Sequence, residues 1–334
     1  MRAVVLVGGF GTRLRPLTYA IPKPLLPVAN IPIVEHVVAN LGRGGVTEAV
    51  LALGFKPDGF LAAYPDGVCA GVKLVYSVEP EPLDTAGAIA FAARLAGIDD
   101  TFVVANGDVL TDLDVGSLVA FHRAHGGEGT IHLTPVDDPS AFGVVPTDDQ
   151  GRVQAFIEKP RRETAPTNLI NAGTYVLEPG VIGRVPDGRK VSIERVTFPA
   201  MVADRVLYAM ATDDYWLDLG RPEPYLQANL DVLDGRRAHL GRNGIAAGAR
   251  VDGAATVEHS VLAATAVVAQ DAQVRDSVVL AGVHVGAGAV VTGSILGPGT
   301  VVGAGATLHD VVTGEGVRVA PASAHRSCRI PEPA

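Results

Sequence analysis

The sequence predicts an α/β protein: a Rossmann-like, doubly wound and mostly parallel sheet, followed by a solenoid of short parallel strands. Two observations carry that prediction. In the first part of the chain, short apolar runs alternate with helical stretches, the pattern of βαβ units. From about residue 241 the composition shifts to small, β-branched and glycine residues, and aliphatic side chains recur every 17 residues.

Residues 3–7 are wholly apolar, as in a strand buried on both faces, and run directly into Gly8-Gly9-Phe10-Gly11-Thr12-Arg13. Further strands are expected at 49–53, 72–76, 102–105 and 130–133, with helices at 33–42, 86–95 and 115–125 between them. In such sheets ligands bind at the carboxyl ends of the strands. Two segments sit at that end: the glycine-rich turn after the first strand, and Asn106-Gly107-Asp108 after Phe102-Val-Val-Ala105.

In the solenoid the aliphatic residues fall in three registers: Ile245, Leu262, Val279, Leu296; Val251, Val268, Val285, Val302, Val319; and Val257, Val274, Val291, Leu308. Steps of six, six and five stack three ladders, one for each face of a prism. Gly288, Gly299 and Gly305 suit its corners. The pattern resembles the hexapeptide-repeat left-handed β-helix with one residue lost per coil. The expected domains are 1–235 for the sheet, 241–321 for the β-helix, and a tail at 322–334 that is loose or a cap.

A net charge of −9 argues against broad attraction to nucleic acid or to an anionic membrane, so any phosphate site must be local. The two cysteines, Cys69 and Cys328, lie far apart and outside any CxxC pattern, which fits a reducing cytoplasm. Gly8-Gly9 interrupts the opening apolar run well before a signal-peptide core would be complete. No apolar run reaches the ~18 residues of a spanning helix.

The segment from Val7 through Gly8, Gly9, Gly11 and Thr12 to Arg13 brings backbone N–H groups and a cation to one turn, as phosphate binding requires. Ten residues on, Lys23 stands between Pro22 and Pro24, which stiffen its backbone. Rigidly presented cations suit developing negative charge. Asp108 and Asp218 are hard oxygen donors of the kind Mg2+ takes, although either could also cap a helix or close a turn.

These residues resemble the signature of the sugar-phosphate nucleotidyltransferases, the nucleoside-diphosphate-sugar pyrophosphorylases. The resemblance continues in order through Phe156-Ile-Glu-Lys-Pro160, Asn171-Ala-Gly-Thr-Tyr175 and Tyr215-Trp-Leu-Asp-Leu-Gly220. It implies that a sugar 1-phosphate attacks the α-phosphorus of a nucleoside triphosphate and releases pyrophosphate. Arg13 and Lys23 would be catalytic, and Asp108 and Asp218 would hold Mg2+. Val7, Gly8, Gly9, Gly11, Thr12, Glu81, Thr85, Gly87 and Gly107 would bind the nucleotide. Gly143, Glu158, Lys159 and Asn171 would bind the sugar phosphate.

The Gly-Gly-Phe-Gly-Thr-Arg form, with Val191-Ser-Ile-Glu194 and Thr197-Phe-Pro199, most resembles the mannose-1-phosphate guanylyltransferases. That subgroup implies GTP and mannose 1-phosphate as substrates, with Glu81 reading guanine. Asp84 stands where the subgroup usually keeps glycine, and a side chain there bears on the approach of backbone to base or ribose. Relatives transferring thymidylyl, uridylyl or adenylyl groups, or using glucose, heptose or cyclitol phosphates, share the main catalytic residues.

Hexapeptide β-helices also carry acyltransferases with a catalytic histidine, for which His259, His284 and His309 are candidates or else corner and surface residues. A homologue that kept the fold and lost turnover is another alternative. Gly9-Phe-Gly-Thr-Arg-Leu14 lacks the third glycine of a dinucleotide fingerprint. The exposed coils of a solenoid suit packing on a second copy, so a homo-oligomer is expected.

Overall fold

The computed structural model describes residues 1–54, 57–237 and 244–333. The expected start of the solenoid at 241 therefore lies outside the described residues. By its packing the chain divides into two units, Met1–Gly9 with Val34–Trp216, and Phe10–Ile33 with Leu217–Ala334.

The first unit is built on a mixed sheet. Arg2–Leu6 lies at its centre, parallel to Glu48–Leu53 on one side and Phe102–Asn106 on the other, and Val72–Val78 extends the parallel set. Leu169–Leu177 then pairs antiparallel with both Phe102–Asn106 and Gly129–Pro135. The expected strands and the helices Ile33–Arg43, Asp84–Leu95 and Val115–His125 all form. Strand Phe102–Asn106 is buried along residues 102–105, as its unbroken apolar run requires. Helix Asp84–Leu95 buries Ala86, Ile89, Ala90 and Ala93 into the same core as Val4, Phe102, Tyr175 and Phe198. Small alanines let the helix approach the sheet closely.

One buried polar group in this unit sets an acid limit. His132, 1% exposed on Gly129–Pro135, meets Thr212 Oγ1 at 2.8 Å through Nε2, while its Nδ1 has no partner. Burial pushes its pKa down to about 4. The unfolded imidazole takes up its proton near pH 6.5 and the folded one only near 4, so below 6.5 the unfolded state binds more protons. His132 thus costs no stability above pH 6.5, and the cost grows to roughly 3 kcal/mol below pH 4. Urea midpoints of His132→Gln should fall less steeply than those of the parent between those limits. Parallel slopes would refute the assignment.

In the second unit the β-helix forms as the 17-residue period requires. Val251, Val268, Val285, Val302 and Val319 stack in register, as do Val257, Val274, Val291 and Leu308, and Leu262, Val279 and Leu296. These parallel three-sided coils form a left-handed β-helix-like domain. The rungs from Leu262 onward are buried, whereas Val251, on an edge strand, is 38% exposed. Gly288, Gly299 and Gly305 turn corners at φ 63°, 67° and 67°.

Two periodic features lie outside the aliphatic pattern. His259, Asp276, Gly293, Asp310 and Ser327 occupy a further left-handed corner, mostly without glycine. Beside it, Ser260, Ser277 and Ser294 form a buried hydroxyl ladder: each accepts the N–H of the next coil at 3.0–3.1 Å and donates to a carbonyl two residues back. A net contribution of about 1 kcal/mol per bond makes this a second spine. The stretch expected to be loose or a cap contains strand Ala324–Ile330, paired parallel with Thr307–Thr313.

The histidines considered for acyl transfer occupy corner and strand positions. His259 bonds Asp276 at 2.6 Å and Asp234 at 3.0 Å, and the Asp276 bond chiefly raises its pKa. His284 and His309 are exposed on their strands. Among the described residues no helix is long and apolar enough to cross a membrane.

Candidate active site

In the first unit, the carboxyl ends of the central strands come together around glycine. Gly107 N donates to Leu6 O at 2.9 Å, and a Cβ on Gly107 would lie 2.5 Å from Val7 Cγ1 and 2.8 Å from Leu6 O. Any side chain would push these strands apart. Val7 is buried, its N–H donating to Ala52 O, while Gly8 and Gly9 are exposed beyond it. Asp108 follows Gly107 in the turn and is half-buried. The helix it could have capped is capped by Asp114, which accepts from Gly116 N and Ser117 Oγ.

The loop before helix Asp84–Leu95 is held by a buried carboxylate. Glu79, 8% exposed, accepts Leu83 N at 2.9 Å; burial raises its pKa and that bond offsets part of the rise. Glu81 is exposed. Asp84 has φ 61°, the left-handed region, and accepts Thr85 N through Oδ1. The glycine usual at this position therefore has a conformational reason, and aspartate is among the residues that tolerate it. Thr85 donates its hydroxyl to Glu194 Oε2 at 2.7 Å and accepts Ile193 N at 2.8 Å, and Gly87 N donates to Val191 O. Both residues clamp the loop to the segment at 191–194.

Gly143, Glu158, Lys159 and Asn171 are brought together. Gly143 pairs with Glu158, Val144 with Ile170, and Lys159 N donates to Phe142 O. Lys159 Nζ lies 3.3 Å from Glu158 Oε1 at an accessible rim. Asn171 accepts Gly173 N and donates from Nδ2 to Tyr175 Oη at 2.9 Å, which fixes its amide. Burial, then the carboxylate of Glu194, raises the Tyr175 phenol, so it keeps its proton. Trp216 donates Nε1 to Ala172 O and sets its ring edge-on to Phe142 at 5.5 Å. Two aromatic faces beside a carboxylate, an amide and a cation suit a polyol phosphate.

In the second unit, Arg13, Lys23 and Asp218 meet. Gly11, at φ 60°, begins a 3-10 turn over Thr12–Leu14, and a Cβ there would press on Thr18 Cγ2 and Lys23 Cβ. Thr18 Oγ1 closes the loop on Gly11 O at 2.8 Å. Thr12 and Arg13 are exposed. Lys23 is 6% exposed, with Nζ 3.8 Å from Asp218 Oδ1. A Cβ on Gly220 would lie 2.8 Å from Arg13 Nη2 and 3.1 Å from Asp218 Oδ1, so glycine leaves both groups their space. Two cations and one carboxylate thus converge within one compact segment.

The described residues contain no group of three or more metal-binding side chains. Such a donor set does not fit an all-protein cage for Ca2+ or Zn2+. Asp108 and Asp218 do fit Mg2+, which is usually bound by one or two carboxylates with water and substrate phosphates.

Residues 2–235 match the nucleotidyl transferase family, and residues 240–333 match the GMPPB C-terminal domain. The chain belongs to the nucleotidyl transferase family. It is 44% identical over 258 residues to a mannose-1-phosphate guanylyltransferase of Mycobacterium tuberculosis, covering 75% of this chain and 71% of that protein. It is 42% identical over 266 residues to a probable mannose-1-phosphate guanylyltransferase 1 of Oryza sativa, covering 78% and 73%. Among solved structures, HddC from Yersinia pseudotuberculosis complexed with GMP-PN is similar at a TM-score of 0.59 and 30% identity, over 68% of this chain and 97% of that one.

Family membership implies divalent-metal-assisted nucleotidyl transfer. Within that chemistry, sequence reasoning missed Glu79, Trp216 and Phe142 as shaping residues. Burial of Glu79 against exposure of Glu81 has no local signal, because both stand in Glu79-Pro80-Glu81-Pro82.

Proposed function

We propose that this chain is a mannose-1-phosphate guanylyltransferase that joins mannose 1-phosphate to GTP, giving GDP-mannose and pyrophosphate. The observation that carries this reading is 44% identity over 258 residues to a protein of that name. A phosphate oxygen of the sugar 1-phosphate attacks the α-phosphorus. The bond from that phosphorus to the bridging oxygen of the β-phosphate breaks, and pyrophosphate leaves with the electron pair. Little covalent chemistry falls to the protein, so positioning and charge neutralisation dominate.

Arg13 stabilises the departing pyrophosphate, and Lys23 meets charge growing at the α-phosphate. Val7, Gly8, Gly9, Gly11, Thr12 and Gly107 accommodate the nucleotide, and the loop at 79–87 faces its base. Glu158, Lys159 and Asn171 hold the sugar phosphate, and Gly143 leaves room for it. Asp108 and Asp218 are the carboxylates that would hold Mg2+, which supplies charge neutralisation on the phosphates when bound. Residues 1–235 form the catalytic domain, and the β-helix that follows, which runs on through strand Ala324–Ile330, is the part through which the protein assembles as a homo-oligomer in the cytoplasm.

A matrix of nucleoside triphosphates against sugar 1-phosphates with Mg2+, scored by pyrophosphate release, tests this reading. GTP with mannose 1-phosphate should give the highest kcat/KM. A higher value for another pair would reassign the substrates, and no release from any pair would remove the activity.

A further inference from the structure

The loop that carries Arg13 has little secondary structure of its own. Leu14 N donates to Gly11 O at 2.9 Å and Arg15 N to Thr12 O at 3.2 Å, a single 3-10 turn. The carbonyls of Arg13 and Arg15 are taken up from far along the chain. Arg329 Nη1 donates to Arg13 O at 3.0 Å and to Arg15 O at 3.0 Å. One guanidinium nitrogen carries two N–H groups, one for each carbonyl. Carbonyls left over at the end of a short helix need such donors.

Arg329 is itself held. It lies on Ala324–Ile330, opposite Val312 of Thr307–Thr313, in the last coil of the β-helix. Next to it, Gly314 N donates to Ile330 O at 2.7 Å. A Cβ on Gly314 would lie 3.1 Å from Pro16 Cβ and 3.3 Å from Pro331 Cδ, so Pro16 is seated against the same coil. Arg15 stacks its guanidinium over Tyr19 at 5.0 Å, which braces the far side of the loop.

We propose that Arg329 is a positioning residue for nucleotidyl transfer: it anchors the backbone on both sides of Leu14 and thereby aims the Arg13 guanidinium beside Asp218 and Gly220. The β-helix then does more than support assembly, because its final coil sets the geometry of the phosphate-binding loop. This inference rests on the reading of Arg13 as a catalytic group. Arginine suits the task because the two N–H groups on Nη1 are fixed in the guanidinium plane, one for each carbonyl, whereas lysine carries its N–H groups on a flexible stem where they turn freely.

The test compares Arg329→Ala, Arg329→Lys and, as a control on the same strand, Arg326→Ala, in the full chain. Pyrophosphate release is measured beside deuterium exchange at the amides of Leu14 and Arg15 and the thermal midpoint. Misplacement by about 1 Å can cost up to ~10²-fold in rate, so R329A should lower kcat by about 10- to 100-fold. KM for the sugar phosphate should hold, both amides should exchange faster, and R329K should recover part of the loss. R326A should match the parent, and an unchanged thermal midpoint separates positioning from a loss of folded protein.

Parental kcat in R329A, or a lower kcat with unchanged exchange, would overturn the proposal. If R329A does not fold, R329K carries the test: it should show a smaller rate loss with faster exchange, and parental values for both would overturn it. If the parent protein releases no pyrophosphate from any pair, the functional reading fails. The exchange data then decide by themselves whether Arg329 holds the loop.

Discussion

Lys23→Met should lower kcat for pyrophosphate release by about 10² to 10³-fold at saturating substrates, the scale of losing one positioned oxyanion donor. Lys23 is 6% exposed and lies between two prolines, so its stem is part of the packing and its ammonium group is confined. Methionine keeps the length of that stem and removes the charge. Its Nζ lies 3.8 Å from Asp218 Oδ1, which places the charge beside a candidate metal carboxylate. The effect should fall on kcat more than on KM, because the charge it meets grows in the transition state. Turnover near that of the parent would remove Lys23 from the chemistry.

Asp108→Asn and Asp218→Asn should each raise the Mg2+ concentration needed for half-maximal rate and lower the rate at saturating metal by about 10²-fold. Asparagine keeps shape and one oxygen but loses the charge that a hard divalent ion requires. The two variants differ in a second respect. Asp218 lies beside Arg13 and Lys23, so its neutralisation also changes the field around those cations. Titration of pyrophosphate release against Mg2+ measures both effects. An unchanged metal requirement in either variant would show that its carboxylate is not a ligand.

The glycine-rich signature was legible because its residues are contiguous or ten apart, and because each type has a chemical reason at its place. The aliphatic ladders were legible because a solenoid repeats its environment at a fixed interval. By the same logic the serine ladder and the left-handed corner at His259, Asp276 and Gly293 recur every 17 residues. Neither shows in a hydrophobic pattern, because neither is made of apolar side chains. Serine and aspartate in a β-rich tract resemble ordinary loop residues until their hydroxyls and backbone angles are seen.

Asp84 shows the opposite case. Its departure from glycine was visible in the sequence and bore on nucleotide choice. Only the backbone, at φ 61°, reveals that the position asks for a left-handed residue, a demand aspartate can meet.

What the sequence determined by itself is the order of strands and helices, the period of the β-helix, and the candidate phosphate-binding cations and metal carboxylates. Each of these depends on local periodicity or on a motif of limited span. Tertiary structure alone decided which chain segments steady those residues. Leu169–Leu177 enters the sheet antiparallel beside Phe102–Asn106, Glu79 is buried while Glu81 is not, and Arg329 reaches the carbonyls of Arg13 and Arg15. Hydrogen bonds between residues more than 300 positions apart leave no periodic trace, because their partners are chosen by how the chain packs rather than by neighbours in sequence.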